Sequence, residues 1–349
     1  MERKITKKIF VGDVPIGGGA PIAVQSMINT VTKDITSSVK MINELSAAGC
    51  DIVRGAVSDL DDAKAIPEII KNTTIPFVAD IQFDYRLALV AAENGAHCLR
   101  INPGNIGSDL KIREIVEACK HYDIPIRIGV NSGSVNQKFI DKYGGVNEDS
   151  MVYSALTQVE LFESMGFTNM KIAIKSSDVP LCIEAYKKIS SLCNYPLHLG
   201  VTEAGPFFRC CVKSSIGIGT LLSMGIGDTI RVSLTGSPID EVKIGREILK
   251  SMGLLQEGID LISCPTCGRT KIKLEEIAKE VEKRLENTKK NIKVAIMGCP
   301  VNGPGEAKNA DIGISGGNGK GIIFVKGEVV KKVPEENLIE ELIKEIEKL

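Results

Sequence analysis

The feature that most restricts the fold of this chain is a pattern that repeats. A short apolar run rich in β-branched residues is followed each time by a longer segment whose apolar residues have helical spacing. The runs number eight, at residues 21–27, 51–57, 75–80, 96–101, 124–130, 170–175, 196–201 and 228–233. Strands that alternate with helices in this way predict an α/β fold of the (β/α)8 TIM-barrel type. A doubly wound open sheet is the alternative.

Two regions outside the repeat have patterns of their own. The stretch KIFVGDVPIGGG at residues 8–19 predicts a hairpin that plugs the bottom of the barrel. From about residue 259 onward the order becomes strand, Cys-x-x-Cys turn, helix, strand, cysteine loop, two strands and a final helix. We therefore expect a barrel domain over residues 1–255 and a small α+β domain over residues 256–349.

The charge balance argues against one class of partner. With 43 basic and 44 acidic side chains the net charge is −1, whereas nucleic-acid-binding proteins usually carry a basic excess. No apolar run approaches the roughly 20 residues that a membrane helix requires. The opening residues MERKITKKIF lack the apolar core of an export signal. We expect a cytoplasmic protein whose ten cysteines are reduced or bind metal.

Charged residues interrupt the apolar runs. They stand within the runs or at their edges, at Arg54, Asp80, Arg100, Arg127, Lys175 and Arg231. Ligands of such a barrel bind where the strands end, and a charge there is costly to bury unless it is paired. Any one of these residues is explained equally well by an ion pair at the rim. Because five of the six are cations, together they favour a shared polyanion such as a diphosphate.

A long insert separates the fifth and sixth runs. It covers residues 131–150 and is either a lid over the barrel mouth or a surface insertion. Asn131, at its start, directly follows the fifth run and is therefore closer to the mouth than the rest of the insert.

Three thiols are candidates for a metal site in the small domain. Cys264 and Cys267 form a Cys-x-x-Cys turn, and Cys299 begins a loop rich in Pro and Gly. A Cys3His zinc site is one interpretation, but all three histidines of the chain lie in the barrel region. A redox dithiol would leave Cys299 unexplained. The third interpretation is an iron–sulfur cluster with three thiolates, in which Glu306 supplies an oxygen ligand.

Several stretches together resemble one known family, the 4-hydroxy-3-methylbut-2-enyl diphosphate synthases. They are LRINPGNIG, IRIGVNSGS, HLGVTEAG, GIGDTIRVSLTG, SCPTCGRT and GCPVNGPGEA. The resemblance implies a TIM barrel followed by an iron–sulfur domain. It also implies reductive opening of 2-C-methyl-D-erythritol 2,4-cyclodiphosphate to 4-hydroxy-3-methylbut-2-enyl diphosphate, a step in isoprenoid precursor synthesis. Two electrons would arrive from ferredoxin or flavodoxin through a [4Fe–4S] cluster.

The resemblance further implies roles for single residues. The cluster ligands fall on Cys264, Cys267, Cys299 and Glu306, and an acidic residue near the reacting carbons falls on Glu203. The substrate-binding set falls on Arg54, Arg100, Arg127, Asn131, Lys175 and Ser233, with Arg231 beside it and Asn302 near the cluster. Gln82 stands where the family commonly has His, and PFFRCC at residues 206–211 is unusual, so neither is given a role.

The linker between the two domains predicts an assembly. GLLQEGID has eight residues and spans at most about 28 Å. Since the eighth helix returns to the barrel bottom, this linker is too short to bring the small domain over its own barrel mouth. We predict a head-to-tail homodimer whose site joins the barrel of one chain to the cluster of the other.

Two other functions remain open at this point. One is a zinc-stabilised barrel hydrolase that acts on a phosphorylated metabolite. The other is an electron carrier without a substrate of its own, and the cationic barrel mouth argues against it because a carrier needs no anion pocket.

Overall fold

The computed structural model describes residues 2–286, 288, 290–299, 309–317 and 319–349. The chain forms two compact units, Met1–Leu254 and Leu255–Leu349. Among the described residues, no helix combines the length and the apolar character needed to cross a bilayer.

The first unit is built on ten strands in its described part. A hairpin of β1 (Ile9–Val11) and β2 (Val14–Ile16) comes first. Eight strands then form one parallel sheet: β3 (Ala23–Met27), β4 (Ile52–Ala56), β5 (Phe77–Asp80), β6 (Cys98–Ile101), β7 (Ile126–Asn131), β8 (Met170–Lys175), β9 (His198–Leu199) and β10 (Thr229–Ile230).

The eight-stranded sheet closes on itself. Its order runs from β3 to β8 along one direction and from β3 through β10 to β9 along the other. A parallel bridge between Ile172 and Leu197 joins β8 to β9, and the Ile172 N–H donates to the Pro196 carbonyl at 2.9 Å. The predicted barrel is therefore confirmed, and the open-sheet alternative is wrong.

Helices follow the barrel strands on the outside. They are α1 (Ile35–Ala47), α2 (Leu60–Lys71), α3 (Tyr85–Glu93), α4 (Pro103–Ile106), α5 (Asp109–His121), α6 (Gln137–Tyr143), α7 (Glu148–Ser164), α8 (Val179–Leu192), α9 (Phe207–Ser223) and α10 (Pro238–Ser251). In α2, Ala63, Ile66 and Ile69 recur every three residues and are fully buried, which gives the helix one apolar face. Its N-cap, Asp59, accepts hydrogen bonds from the first-turn amides.

The insert after β7 forms a short helix that packs on the outside of the barrel. A 3-10 turn at Ser132–Ser134 leads into α6. The ring of Tyr143 at the end of α6 stacks on that of Tyr153 in α7, with ring centroids 5.3 Å apart. This contact fixes α6 against α7.

The N-terminal hairpin supplies the apolar floor of the barrel. Ile9, Val11 and Ile16 pack in one cluster with residues from the start of four barrel strands, which are Ala23, Ile52, Val78 and Cys98. The predicted plug is confirmed, and it leaves the upper part of the barrel interior for polar side chains.

The second unit is a five-stranded sheet with two helices in its described part. Its elements are β11 (Ile259–Ser263), α11 (Leu274–Leu285), β12 (Ile292–Met297), β13 (Ile312–Gly317), β14 (Lys320–Val325), β15 (Glu328–Pro334) and α12 (Leu338–Lys348). The order is β11-β12-β13-β14-β15, with parallel pairing up to β13 and antiparallel pairing after it. Three strands follow the cysteine loop, not the two expected. The third, β15, is an edge strand with Val329 and Val330 both about half exposed. Its apolar residues therefore do not alternate between a buried and an exposed face, and the sequence gives little sign of a strand.

Shortening a side chain in the plug tests whether the barrel floor depends on it. Ile16→Ala should lower the free energy of unfolding by about 2–5 kcal/mol, because it leaves a cavity in a fully buried cluster. Phe10→Ala on the half-exposed side of the same hairpin should change it by no more than about 0.5 kcal/mol. Urea unfolding of the full chain provides the measurement. Equal losses in the two variants would show that the hairpin does not complete the core.

Candidate active site

Four of the predicted cations lie inside the barrel and not on an open rim. Arg54, Arg100, Arg127 and Lys175 are only 2–8 % exposed. The Arg127 Nη1 donates to the Gln25 side-chain oxygen at 3.4 Å. Because β7 and β3 are not neighbours in the sheet, this bond crosses the barrel interior. Arg127 is the second residue of β7, so it lies below the carboxyl end of the strand, where ligands of such a barrel bind.

Asp80 is the carboxylate that two of these cations share. Its Oδ1 accepts from Arg100 Nη1 at 3.0 Å, and its Oδ2 lies 3.7 Å from Arg54 Nε. Burial alone would raise the pKa of Asp80, but the charges of Arg54 and Arg100 hold that pKa below its usual value. Asp80 is therefore ionised and fixes both guanidinium groups.

Glu241 performs the same function for Arg231. Its two carboxylate oxygens accept from Arg231 Nη2 at 3.2 Å and Nε at 3.3 Å, and Ser26 Oγ donates to it at 2.8 Å. The Met27 thioether accepts from Arg54 Nη2 at 3.0 Å and lies 4.0 Å from Arg231 Nη1. Met27, a weak acceptor, thus lies between Arg54 and Arg231, which pair with the carboxylates of Asp80 and Glu241 respectively.

The described part of the barrel interior holds more positive than negative charge. Burial, followed by the charge of Arg231, lowers the pKa of Arg54 well below its ordinary value. Burial, followed by the charge of Arg127, does the same to the pKa of Lys175. Both groups would be stabilised by a bound anion, because an opposite charge nearby favours the charged form.

Two glycines make room for this crowding. A Cβ at Gly129 would lie 3.0 Å from Arg100 Nε, and a Cβ at Gly200 would lie 2.6 Å from Lys175 Nζ. Neither position requires a left-handed backbone, so glycine is needed there for space and not for conformation.

Sequence reasoning missed two polar residues of the interior, Lys171 and His198. Both are buried, and neither the Lys171 Nζ nor the His198 Nε2 has a hydrogen-bond partner among the described residues. The His198 Nδ1 is 2.7 Å from Thr229 Oγ1. The alternation of side chains along a strand could have revealed Lys171, because it faces the same side of β8 as Lys175.

Three further predicted residues lie at the carboxyl end of a strand or on the loop that follows it. Asn131 ends β7 and is the register partner of Lys175. Ser233 follows β10, and Glu203 follows β9. A bridge between Gly205 and Leu234 joins these last two loops. Glu203 is exposed and has a φ of +52°, which is uncommon for a residue with a side chain and is a form of strain that occurs at functional sites.

The three thiols of the second unit come from one edge of its sheet. Cys264 follows β11 and Cys299 follows β12, and these strands are parallel neighbours. The Gly298 N–H donates to Cys264 Sγ at 3.2 Å, and the Lys271 N–H donates to the Gly298 carbonyl at 2.9 Å. The second bond ties the Cys-x-x-Cys turn to the end of β12.

Each thiol has a distinct environment. Cys267 is exposed, and hydrogen bonds from the backbone and side chain of Arg269 lower the pKa of its thiol. Cys299 is buried, and its carbonyl accepts from Ser315 Oγ at 2.9 Å. Cys264 lies between these extremes and receives the Gly298 amide bond.

Three thiols, one of which receives an N–H···S bond, form a donor set of a kind that can hold an iron–sulfur cluster. In the described part of the chain, no three His, Cys, Asp or Glu side chains are grouped so as to hold one metal ion. A cluster spreads its thiolates over several iron atoms, and N–H···S bonds such as that to Cys264 are typical around it. Asn302 and Glu306 lie outside the described residues.

Comparison with known proteins covers both units. A sequence model of the GcpE TIM-barrel domain matches residues 6–246, and one of the GcpE protein C-terminal domain matches residues 260–348. The chain belongs to the GcpE family. The membership accounts for both units at once, and it confirms the resemblance seen in the sequence motifs.

Members of the GcpE family match along the full chain. A protein of Clostridium perfringens is 60% identical over 347 residues, which cover 99% of each chain. One of Clostridium acetobutylicum is 58% identical over 349 residues, which cover 100% of each. Both are named 4-hydroxy-3-methylbut-2-en-1-yl diphosphate synthase (flavodoxin). Nothing in these matches supports the zinc hydrolase alternative.

A more distant likeness concerns the fold alone. The crystal structure of an N-acetylneuraminic acid synthetase from Leptospira borgpetersenii has a TM-score of 0.50 and 14% identity, over 81% of this chain and 98% of that one. At this identity nothing about the reaction carries over to the GcpE family.

A methyl group at Gly129 tests whether Arg100 belongs to an anion site. Gly129→Ala places a Cβ against the Arg100 guanidinium and should weaken the binding of inorganic pyrophosphate roughly tenfold, as expected when one charge-assisted hydrogen bond is impaired. Gly133→Ala is the matched control, because its Cβ would meet nothing within 4 Å. Titration calorimetry on the full chain measures both. Unchanged affinity in Gly129→Ala would remove Arg100 from the anion site.

Proposed function

We propose that this chain converts 2-C-methyl-D-erythritol 2,4-cyclodiphosphate to 4-hydroxy-3-methylbut-2-enyl diphosphate, with electrons from flavodoxin. One observation carries the proposal, namely the excess of buried positive charge around Asp80 in the barrel. That arrangement suits a diphosphate, and the full-length relatives are named for the product that carries one. Ferredoxin is the alternative donor that the sequence left open.

The balance of the reaction defines what the site must supply. Two electrons and two protons enter, the ring carbon–oxygen bond breaks, and one water leaves. The diphosphate is retained, so its binding groups need only hold and orient it. The chain must also deliver at least one proton close to the reacting carbons.

The barrel cations would hold the diphosphate. Arg54 and Arg100, fixed by Asp80, present guanidinium groups whose planar donors match phosphoryl oxygens. Arg127, Lys175 and Arg231 add positive charge, and Asn131 and Ser233 add neutral donors at the strand ends. Because the site is preorganised by Asp80 and Glu241, little rearrangement accompanies binding.

Glu203 would place or donate the proton. It lies on the loop after β9, which the Gly205–Leu234 bridge holds beside the loop of Ser233. Its left-handed backbone conformation costs about 1–3 kcal/mol, and such strain persists where the side-chain position matters.

The thiol edge of the second unit would hold a [4Fe–4S] cluster, with Cys264, Cys267 and Cys299 as thiolate ligands and Glu306 as the fourth. When bound, the cluster would supply single electrons and a Lewis-acidic iron. Asn302 would lie near it. The Gly298 amide would stabilise the Cys264 thiolate, and the Arg269 backbone and guanidinium would stabilise that of Cys267.

Loss of one thiol tests the ligand set independently of turnover. Anaerobically reconstituted full chain should contain about four iron and four sulfide per chain. Cys264→Ser should lose most of this iron and the brown visible absorption. Cys211→Ser, a half-buried barrel cysteine, should keep both. Full iron content in Cys264→Ser would remove Cys264 from the ligand set.

Substitution at Glu203 tests its role in proton delivery. Glu203→Gln should leave iron content and pyrophosphate affinity unchanged and lower kcat by about 10²–10⁴-fold, the usual range for a general acid. Glu160→Gln, an exposed residue of α7, serves as the control. Wild-type turnover in Glu203→Gln would exclude a catalytic role.

A homodimer that shares its sites is the proposed assembly. It is supported by the end of α10 at Ser251, which brings the chain to the amino-terminal end of the barrel strands, opposite the proposed diphosphate site. Two variants that are each expected to be inactive complement one another. Glu203→Gln keeps an intact cluster site, and Cys264→Ser keeps an intact barrel site. Each mixed dimer should therefore have one working site of two, and a co-expressed population that pairs at random should regain about a quarter of wild-type activity. No recovery after co-expression would show that each chain acts alone.

A cytoplasmic location forms part of the proposal. All ten cysteines are free, which is typical of a reducing compartment.

Turnover of the reconstituted full chain decides the function. With reduced flavodoxin and the cyclic diphosphate, we expect one 4-hydroxy-3-methylbut-2-enyl diphosphate for every two electrons. A parallel assay with ferredoxin compares the donors. An iron-loaded chain that binds the cyclic diphosphate but reduces none of it with either donor would refute the proposal.

A further inference from the structure

Lys171 is a buried cation for which the proposed mechanism has no use. It lies on β8, is 1 % exposed and is the register partner of Arg127 on β7. Its Nζ finds no hydrogen-bond partner in the part of the chain that the structure describes. An ammonium group without partners is costly at such a depth.

The groups around Lys171 are mostly cationic or neutral. From the barrel interior the charged and titratable ones are Arg54, Asp80, Cys98, Arg100, Arg127, Lys175, His198 and Arg231. Outside the sheet, the buried Tyr186 of α8 donates to the His198 carbonyl at 2.6 Å. The acidic residues Asp149 and Glu163 of α7 bond elsewhere, to Lys188 and Tyr195.

Charge balance points to the lysines as the groups that give up protons. Among the described residues, the interior holds six cationic side chains but only two carboxylates, Asp80 and Glu241. An arginine stays charged, whereas a buried lysine releases its proton readily. Burial is the main cause that lowers the pKa of Lys171 to about 8, and the charges of Arg127 and Arg54 add to it.

We propose that Lys171 is a positioning residue that takes up a proton from solvent when a diphosphate enters the barrel, and so supplies positive charge beneath the bound anion. The inference rests on the proposed function to the extent that it requires a diphosphate in the barrel. Lys175, the next-but-one inward residue on the same strand, is proposed to contact the anion directly, and Lys171 lies four residues deeper.

Proton uptake by Lys171 on anion binding is expected only at pH values where the free lysine is largely neutral. Below about pH 8 most Lys171 already carries its proton, so little is taken up. Above that pH the free lysine is mostly neutral, and the anion raises its pKa, so binding draws a proton from solvent. Affinity should then fall as pH rises, by up to about tenfold per pH unit.

Calorimetry measures the proton directly. Inorganic pyrophosphate is titrated into the full chain at about pH 9, in two buffers of different ionisation enthalpy, and the proton count per binding event is compared between variants. Lys171→Met removes the titrating group, and Lys171→Arg keeps the charge without titrating here. Any protons that pyrophosphate itself exchanges cancel in the comparison.

The wild type should take up at least about half a proton more than either variant. Lys171→Arg should keep the affinity within a few-fold, whereas Lys171→Met should lose about tenfold. Lys187→Met, which removes a half-buried lysine of α8 that pairs with Glu184, should behave as the wild type. Equal proton uptake in wild type and both Lys171 variants would overturn the inference.

Two further outcomes separate this inference from the proposed function. If the wild type fails to bind pyrophosphate, both are wrong. If Lys171-dependent uptake occurs but the cyclic diphosphate is not reduced, only the proposed function is wrong. Should neither Lys171 variant fold, sulfate provides the test on the wild type, because it does not titrate in this range. Its Kd should rise steadily above about pH 8, and a flat Kd would overturn the inference.

Discussion

The structure of the barrel depends on one electrostatic constraint, which is the burial of several cations with too few carboxylates. Asp80 serves both Arg54 and Arg100, and Glu241 serves Arg231. Burying charge without a partner costs several kcal/mol per ion, so the interior is a compromise that a bound anion would relieve. The space left by glycine at positions 129 and 200 and the weak acceptor Met27 both follow from this crowding.

Apolar packing elsewhere in the barrel offsets the cost of burying these cations. The hairpin of β1 and β2 packs with the first inward residues of the strands and forms a dry, apolar floor. Stability is concentrated there, and the cations are confined to the layer above. The second unit has a similar division, because its hydrophobic core includes residues of its strands and both helices, and Cys264 and Cys299 follow the ends of the neighbouring strands β11 and β12.

Much of this was accessible from the sequence, for definite reasons. Eight β-branched runs separated by helical periods left few alternatives to a barrel, and a charge such as Arg100 inside such a run is conspicuous. Other features depended on distant partners. The Arg127–Gln25 bond crosses the barrel, and the depth of Arg127 depends on strand register. Lys171 is not evident from the sequence, because a lysine near the start of an apolar run is usually expected at the surface. The strand β15 was missed because its valines face solvent.

The most direct test is the stability of the full chain as a function of pyrophosphate, measured by urea unfolding at constant ionic strength with chloride as the reference. If the buried cations form an anion site, the free energy of unfolding should rise with ligand, by about 2.7 kcal/mol at a hundred times Kd. If pyrophosphate raises the free energy of unfolding no more than chloride does at the same ionic strength, the account is contradicted. The interior charges would then already be balanced within the protein.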